Sequence, residues 1–416
     1  MRWLQTFNRV AAGSLAILLT SCTSLKPPKT LFITYQVDQR DFQSDSARVR
    51  SILNKYAKAF QRSNPETRIV YITYTSREFI NQIEKDSRLN LGPDLILINN
   101  FFAPELLARG LTTTPADTKY FDEIYSSRIQ ATAKANSKYI FAPWLIATQI
   151  ACFNNTSISE SPSTIQELEE LSASGKKIGL ASNAGELIWT AGTQGAISEI
   201  SALGNPMTAQ QANPAIRKWL QWLRKAALYK NIFFLNEYKD LKEKLLSNEL
   251  DWVTCWSTEL EDLKKKMGNN LGVAALPDGS TSKALPVHTI YGFALGKNSS
   301  PAQRKKAMKF IKTNVNTVAQ RKLQLDDVGF LAANQNVSIP AESSQKLSAI
   351  NTSFNEQSNF YSSEWPGILN WFEPEKRNSK NYGKRFPEIS RTLTELTDGY
   401  LSVEDALKAI TTTPTN

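Results

Sequence analysis

Apolar and polar residues alternate through Leu31 to Val37 (LFITYQV), the period-two pattern of a strand with one buried face. The period then lengthens. Val49, Ile52, Leu53, Tyr56, Ala57 and Phe60 recur at helical spacing, predicting a helix to about Arg62 that Asn64-Pro65 breaks. Arg68 to Tyr74 (RIVYITY) reads as a second strand. Ser76 can cap a short helix carrying Phe79, Ile80 and Ile83. Asp94 to Ile98 (DLILI) is continuously apolar after Gly92-Pro93, as suits a strand buried on both faces of a parallel sheet. Strand, helix, strand, helix, strand is an α/β unit.

A second α/β pattern follows. Tyr139 to Phe153 is strand-like and broken by Pro143, Thr164 to Leu171 is helical, and Lys177 to Ala181 is a strand. Pro214 to Leu228 predicts a longer helix whose Ile216, Trp219, Leu220 and Leu223 share one core-facing stripe. Strands recur at Asp251 to Trp256, Leu271 to Ala275 and His288 to Leu295, before a helix from about Ala302 to Leu323. Ser402-Val403-Glu404-Asp405 resembles a capping box that opens a last helix.

Before all of this lies a different pattern. Arg2 and Arg9 precede an apolar run, Val10 to Leu19, of signal-peptide length and too short to span a bilayer. The run ends Leu19-Thr20-Ser21-Cys22, which resembles the lipobox of bacterial lipoproteins. That resemblance implies a signal peptide over residues 1–21, a lipid on Cys22, and a polar tether over 22–30. The protein is therefore expected on the extracytoplasmic side of the cell envelope, anchored by lipid.

Composition narrows the chemistry. With 416 residues the chain is long enough for two domains with real cores. Its 49 basic and 39 acidic residues give a net charge of +10, but the excess is dispersed. The clusters Lys264-Lys265-Lys266 and Arg304-Lys305-Lys306 fall on helical patterns and read as solvated faces, so no nucleic-acid partner is expected. Of three cysteines, Cys152 and Cys255 remain after Cys22, either as one disulfide or as two buried thiols. A single histidine, His288, argues against His-rich metal sites and against HExxH chemistry. There is no GxSxG elbow and no GxGxxG after a strand. In GFALGKN, Gly292 to Asn298, three residues rather than four separate the glycines and Asn follows the Lys, so it is no phosphate loop. No carboxylate pair occupies a suggestive strand end; Glu259 and Glu261-Asp262 sit in a charged helical run. Neither a metal nor a cofactor is expected. An exported α/β chain lacking catalytic hardware suggests binding.

The residues then become specific. GPDLILINNFFAPELLARGL, Gly92 to Leu111, resembles a segment of the family 1 extracellular solute-binding proteins, the sugar-binding receptors of ABC importers. SKYIFAPWLIATQIACFNN, Ser137 to Asn155, resembles that family's first crossover, and TIYGFALGKNSS its return crossover. STIQEL, the Trp256 block, GVAALP, GFLAANQNV and the final GYLSVEDALKAI follow in the family's order, from about Leu31 to Ile410.

The resemblance implies a periplasmic-binding-protein-like α/β fold, with two lobes joined by crossover strands and a ligand cleft between them. One lobe is expected from 31–146 and 288–340, the other from 147–287 and 341–416. It also implies a non-enzymatic, monomeric receptor that delivers a small carbohydrate or polyol-like solute to ABC permease subunits. A polyamine receptor and a secreted glycan-active enzyme are the alternatives. Sugars offer flat C–H faces and a rim of hydroxyls, so aromatic platforms beside polar groups are the expected site chemistry. By their matching positions, Trp256, Tyr291 and Trp144 are the candidate platforms, with Trp189 and Trp365 as further aromatics. The polar candidates are Asn99, Asn100 and Asp38, whereas Asp94 and His288 are expected to serve the scaffold. Maltodextrin-type members carry an acidic residue and an Arg where this chain has Phe101 and Phe102. They also carry a sugar-binding Glu where it has Ala147.

Overall fold

Parallel strand pairing organises the first third of the protein. In a computed structural model, the described residues are 29–37, 42–75, 78–204, 213–326, 329–338, 344–372 and 385–412, with side chains of the first helix described from Val49 onward. Strand Lys29–Val37 lies between Thr67–Thr75 and Leu95–Asn99, parallel to both, with Ile33 opposite Tyr71 and Leu95. Leu31, Ile33 and Tyr35 on its inward face are essentially unexposed. Helices Phe42–Arg62 and Pro301–Val315 contribute Phe60 and Phe310, whose rings meet edge-on at 5.3 Å, and Phe293 packs on Phe310 at 5.6 Å. Asp94 is a scaffold group. Its carboxylate accepts from the Phe32 amide at 2.9 Å and the Ser299 hydroxyl at 2.7 Å, tying the strand start to a neighbouring loop.

A further group of strands is built on one long strand, Ala142–Asn154, every residue of which is buried. Trp252–Trp256, Leu271–Ala274 and Leu331–Ala332 pair with it antiparallel. Ile178–Ala181 continues from Trp252–Trp256 in parallel, and Ile232–Leu235 from Ile178–Ala181. Helices Ala184–Thr193, Ile197–Leu203, Pro214–Ala226, Trp365–Phe372, Arg385–Asp398 and Val403–Thr411 cover it around one core. That core contains Ile216, Trp219, Leu220 and Leu223 as the spacing predicts.

Two element expectations need correction. Pro143 does not break its strand. It stands second in Ala142–Asn154, where the missing N–H is tolerated, and its carbonyl accepts from the Tyr125 hydroxyl at 2.6 Å. The helix expected from Ala302 to Leu323 is two helices, Pro301–Val315 and Thr317–Leu325. Asn316 between them accepts from the Ala319 amide at 2.9 Å and so caps the second.

The chain groups into two compact units. One comprises Met1–Ile98, Glu105–Pro115 and Phe293–Asn314; the other comprises Asn99–Pro104, Ala116–Gly292 and Val315–Asn416. This grouping differs from the expected lobes in segments 99–104, 116–146, 288–292 and 315–340, which fall with the second unit. Their own bonds show why they stay together. The Gln335 amide donates to the Ile124 carbonyl at 2.9 Å, and the Gln320 side chain donates to the Trp144 carbonyl at 2.5 Å. The leader, Cys22 and the tether up to residue 28, together with Asp38 and Ser76, lie outside the described residues.

Candidate functional site

In the antiparallel pair of Trp252–Trp256 with Ala142–Asn154, Trp256 stands directly opposite Gln149, so their side chains leave the sheet on the same face. Trp256 is the last residue of its strand. The adjacent parallel strand Ile178–Ala181 ends at the same side and leads through Ser182 into helix Ala184–Thr193. Ligands of α/β sheets collect beyond such carboxyl ends.

Glu186 in the first turn of that helix joins the three elements. Asn183 caps the helix by accepting from the Glu186 amide at 3.0 Å. In a capping box the residue at this position would reach back to the cap's own amide. Here the carboxylate points elsewhere: one oxygen accepts from the Trp256 indole at 2.8 Å, the other from the Gln149 side-chain amide. Gln149 is itself held, accepting from the Val287 amide at 3.0 Å through its side-chain oxygen. Around it, Ser353 donates to the Gln149 carbonyl at 2.6 Å and shares a bond with Thr148 at 2.9 Å.

Burial raises the Glu186 pKa above the ordinary carboxyl value, and the donors from Trp256 and Gln149 pull it back in part. The helix N-terminus further favours the anion. Trp256 and Glu186 both retain some exposed surface. The result is an indole whose edge is fixed by a carboxylate, with a carboxylate lone pair and an aromatic face side by side. Such a pair accepts from hydroxyls while stacking on an apolar face.

The other expected site residues divide. Tyr291 is part-exposed and meets Phe330 edge-on at 6.1 Å. Asn100 is tied to the strand that carries Tyr291, His288–Gly296: its amide donates to the Ile290 carbonyl at 3.0 Å and its side-chain oxygen accepts from the Ile290 amide at 2.8 Å. Asn99 is buried, and its oxygen accepts from the amides of Phe101 and Phe102 at 3.0 and 3.2 Å, which turns the chain into helix Ala103–Ala108. Trp365 is part-exposed and packs edge-on to His288 at 4.8 Å. Trp144 and Trp189 are 2% and 0% exposed, respectively. Both are packed into the interior, unlike Trp256 and Trp365. Glu186 and Gln149 were not anticipated. Asn183-Ala184-Gly185-Glu186 carries a visible capping signal, but the carboxylate's actual partners depend on the sheet.

Between Cys152 and Cys255 the structure has a disulfide, with Cα atoms 5.8 Å apart. It cross-links the two strands that carry Gln149 and Trp256. Among the described residues no cluster of His, Cys, Asp and Glu could hold a metal, and no helix is long and apolar enough to cross a membrane.

Known proteins share this architecture. The fold is periplasmic-binding-protein-like. The GacH receptor of Streptomyces glaucescens GLA.O, whose structures include acarbose complexes, superposes with a TM-score of 0.66 at 14% identity, covering 92% of this chain and 97% of that one. The maltose-binding periplasmic protein MalE of Listeria monocytogenes, in complex with maltose, gives 0.65 at 17% identity, covering 93% and 98%. An ABC transporter solute-binding protein from Thermotoga lettingae TMO, bound with α-D-tagatose, gives 0.66 at 15%, covering 92% and 98%. No curated protein matches the chain in sequence. Residues 55–351 match the model of a family described as bacterial extracellular solute-binding proteins, binding proteins rather than enzymes, which act outside the cytoplasm. The chain belongs to the bacterial extracellular solute-binding protein family.

Proposed function

We propose that this protein is the lipid-anchored receptor of an ABC importer, that its solute is a carbohydrate, and that it delivers this solute to the membrane permease. The observation that carries the reading is the Glu186-fixed Trp256 at the carboxyl ends of two parallel strands. An oriented indole supplies the stacking surface for a sugar's C–H face, and the carboxylate beside it accepts from hydroxyls. The acarbose, maltose and tagatose complexes of similarly folded proteins support the same solute class. Tyr291, Asn100 and Trp365, each with exposed surface, are the further contacts we assign. Cys22 carries the lipid in this reading.

Trp256→Ala tests it. Titration calorimetry of the exported body with sugars found by thermal-shift screening should show binding weakened by about 2 kcal/mol, roughly thirtyfold, with circular dichroism unchanged. Glu186→Gln should weaken the same ligand less, because the indole keeps an acceptor. Unaltered affinity in a folded Trp256→Ala protein would show that the site lies elsewhere.

A further inference from the structure

Phe354 is ringed by polar groups that its neighbourhood does not satisfy. Three buried nitrogens there have no hydrogen-bond partner among the described residues: Arg128 Nη2, His288 Nδ1 and Trp365 Nε1. The Arg128 guanidinium carbon lies 3.9 Å from the Phe354 ring centroid, and His288 meets the same ring edge-on at 5.1 Å and Trp365 at 4.8 Å. Phe354 itself sits in a π-helical stretch, Thr352–Gln357, a local widening that often marks functional positions.

Half of Arg128 has a scaffold role. Its Nη1 donates to the Phe354 carbonyl at 2.6 Å and so steadies the widened turn. The other half does not. No carboxylate pairs with Arg128 among the described residues, and burial alone lowers its pKa, to about 10, which leaves it cationic at neutral pH. His288 is neutral there, since burial and the nearby guanidinium both hold its pKa well below the usual value. The cluster therefore carries one uncompensated positive charge and a surplus of donors. Leaving such groups unpaired is costly, and a neutral side chain could have held the turn without that cost. What pairs best with a guanidinium fork flanked by an indole N–H is an oxyanion, above all a planar carboxylate.

We propose that Arg128, with Trp365 and His288, forms an anion subsite for a carboxylate carried by the solute, so that the ligand is an acidic saccharide of the uronate type. This rests on the carbohydrate reading above and makes it narrower. All three nitrogens are enclosed in the present conformation, whereas Arg128 and Trp365 both keep some exposed surface. Entry of the carboxylate therefore requires one of these two side chains to swing, and Trp365, the first residue of its helix, is the one with an optical signal.

The test uses the exported protein with galacturonate and glucuronate oligosaccharides, their methyl esters, neutral maltotriose, and the simple anions acetate and phosphate. Binding is followed by calorimetry and tryptophan fluorescence. Expected is at least tenfold tighter binding of an acid than of its methyl ester, with the acid's affinity falling as salt rises. Arg128→Gln should abolish the acid-over-ester preference, and Arg128→Lys, which keeps the charge and guards against loss of fold, should retain part of it. Equal affinity for acid and ester, or binding of neutral sugars alone, overturns the anion subsite and leaves the carbohydrate reading standing. Binding of simple anions but of no saccharide overturns both, as does a protein that binds none of the panel. A preference for the acid that survives in folded Arg128→Gln places the recognition on another residue and overturns the assignment.

Discussion

His288 is the residue whose ionisation is easiest to isolate, because the chain has no other histidine. Enclosed between Phe354 and Trp365, with the Arg128 charge near, it stays neutral well below the ordinary imidazole value. The unfolded chain takes up that proton as pH falls through about 6.5, whereas the folded protein does not. Below that pH the unfolded state binds more protons, so stability drops on acidification. Glu186 acts with the opposite sign. Its raised carboxyl pKa means the folded state holds a proton longer than the unfolded chain, and stability is lost as pH rises above the unfolded value of 4.5. Urea unfolding between pH 7 and 5 should therefore show stability falling with pH in the wild type and a flatter profile in His288→Gln. Glu186→Gln should steepen the fall. Identical profiles for wild type and His288→Gln would mean the ring is not held neutral. At this scale the sequence shows which residues can do chemistry but not which way they face. Trp144, Trp189, Trp256 and Trp365 look alike on paper, and burial separates them. Glu186 hides inside a capping signal. Gln149, two residues beyond Ala147 on the same strand face, is buried and holds the Glu186 carboxylate, which comes from a different element.

Strand and helix patterns carry further than side-chain partners do, because period and burial are local while partners are not. The strands around Leu31, Arg68, Asp94, Lys177, Asp251 and His288 form within a residue or two of where alternation or apolar runs place them. Where the reading departs, a single side chain or backbone atom decides. Asn316 restarts a helix, and Pro143 is accommodated because the strand is only just beginning. The Cys152 to Cys255 bridge was undecidable from the chain alone, since it depends on register. Cys255 pairs with Ile150 and Val253 with Cys152, which sets the two cysteines diagonally across the ladder. The bridge closes a loop with a sequence separation of 103, long enough for its removal to cost about 2 to 5 kcal/mol. The double variant Cys152→Ala/Cys255→Ala should lose stability on that scale in urea, with a lower midpoint. Both sulfurs are buried, so thiol counting belongs in denaturant without reductant. Two reactive thiols from these positions in the wild-type protein would show that the bridge is not made. A glycine contact governs another element pair. A Cβ on Gly204 would stand 1.9 Å from the Gly367 carbonyl oxygen, so helices Ile197–Leu203 and Trp365–Phe372 meet backbone to backbone. That close approach positions Trp365 beside His288, and no hydrophobic period announces it.

Over the whole molecule, the order of family-like segments identifies the fold, while the grouping of the chain into units depends on bonds such as Gln320 to Trp144 that no local pattern contains. Family membership places the protein outside the cytoplasm, and a buried disulfide belongs to such an oxidising compartment. Among the described residues no helix can cross a bilayer, and Val10 to Leu19 is too short to do so. The proposed anchor is lipid on Cys22, joined to the first strand by a short tether containing Pro27-Pro28. Stable attachment by acyl chains requires more than one chain, which a lipidated N-terminal cysteine bearing a diacylglyceryl group would meet. Wild-type protein should therefore sediment with membranes, resist high salt and carbonate, and be released by detergent. Cys22→Ser should appear in the soluble extracytoplasmic fraction or remain as an unprocessed precursor, with the folded body still binding solute as tightly as the wild type. Mass spectrometry of the mature N-terminus would read the lipid directly. An unmodified chain beginning at another residue, still retained by the membrane, would show that something other than Cys22 does the anchoring.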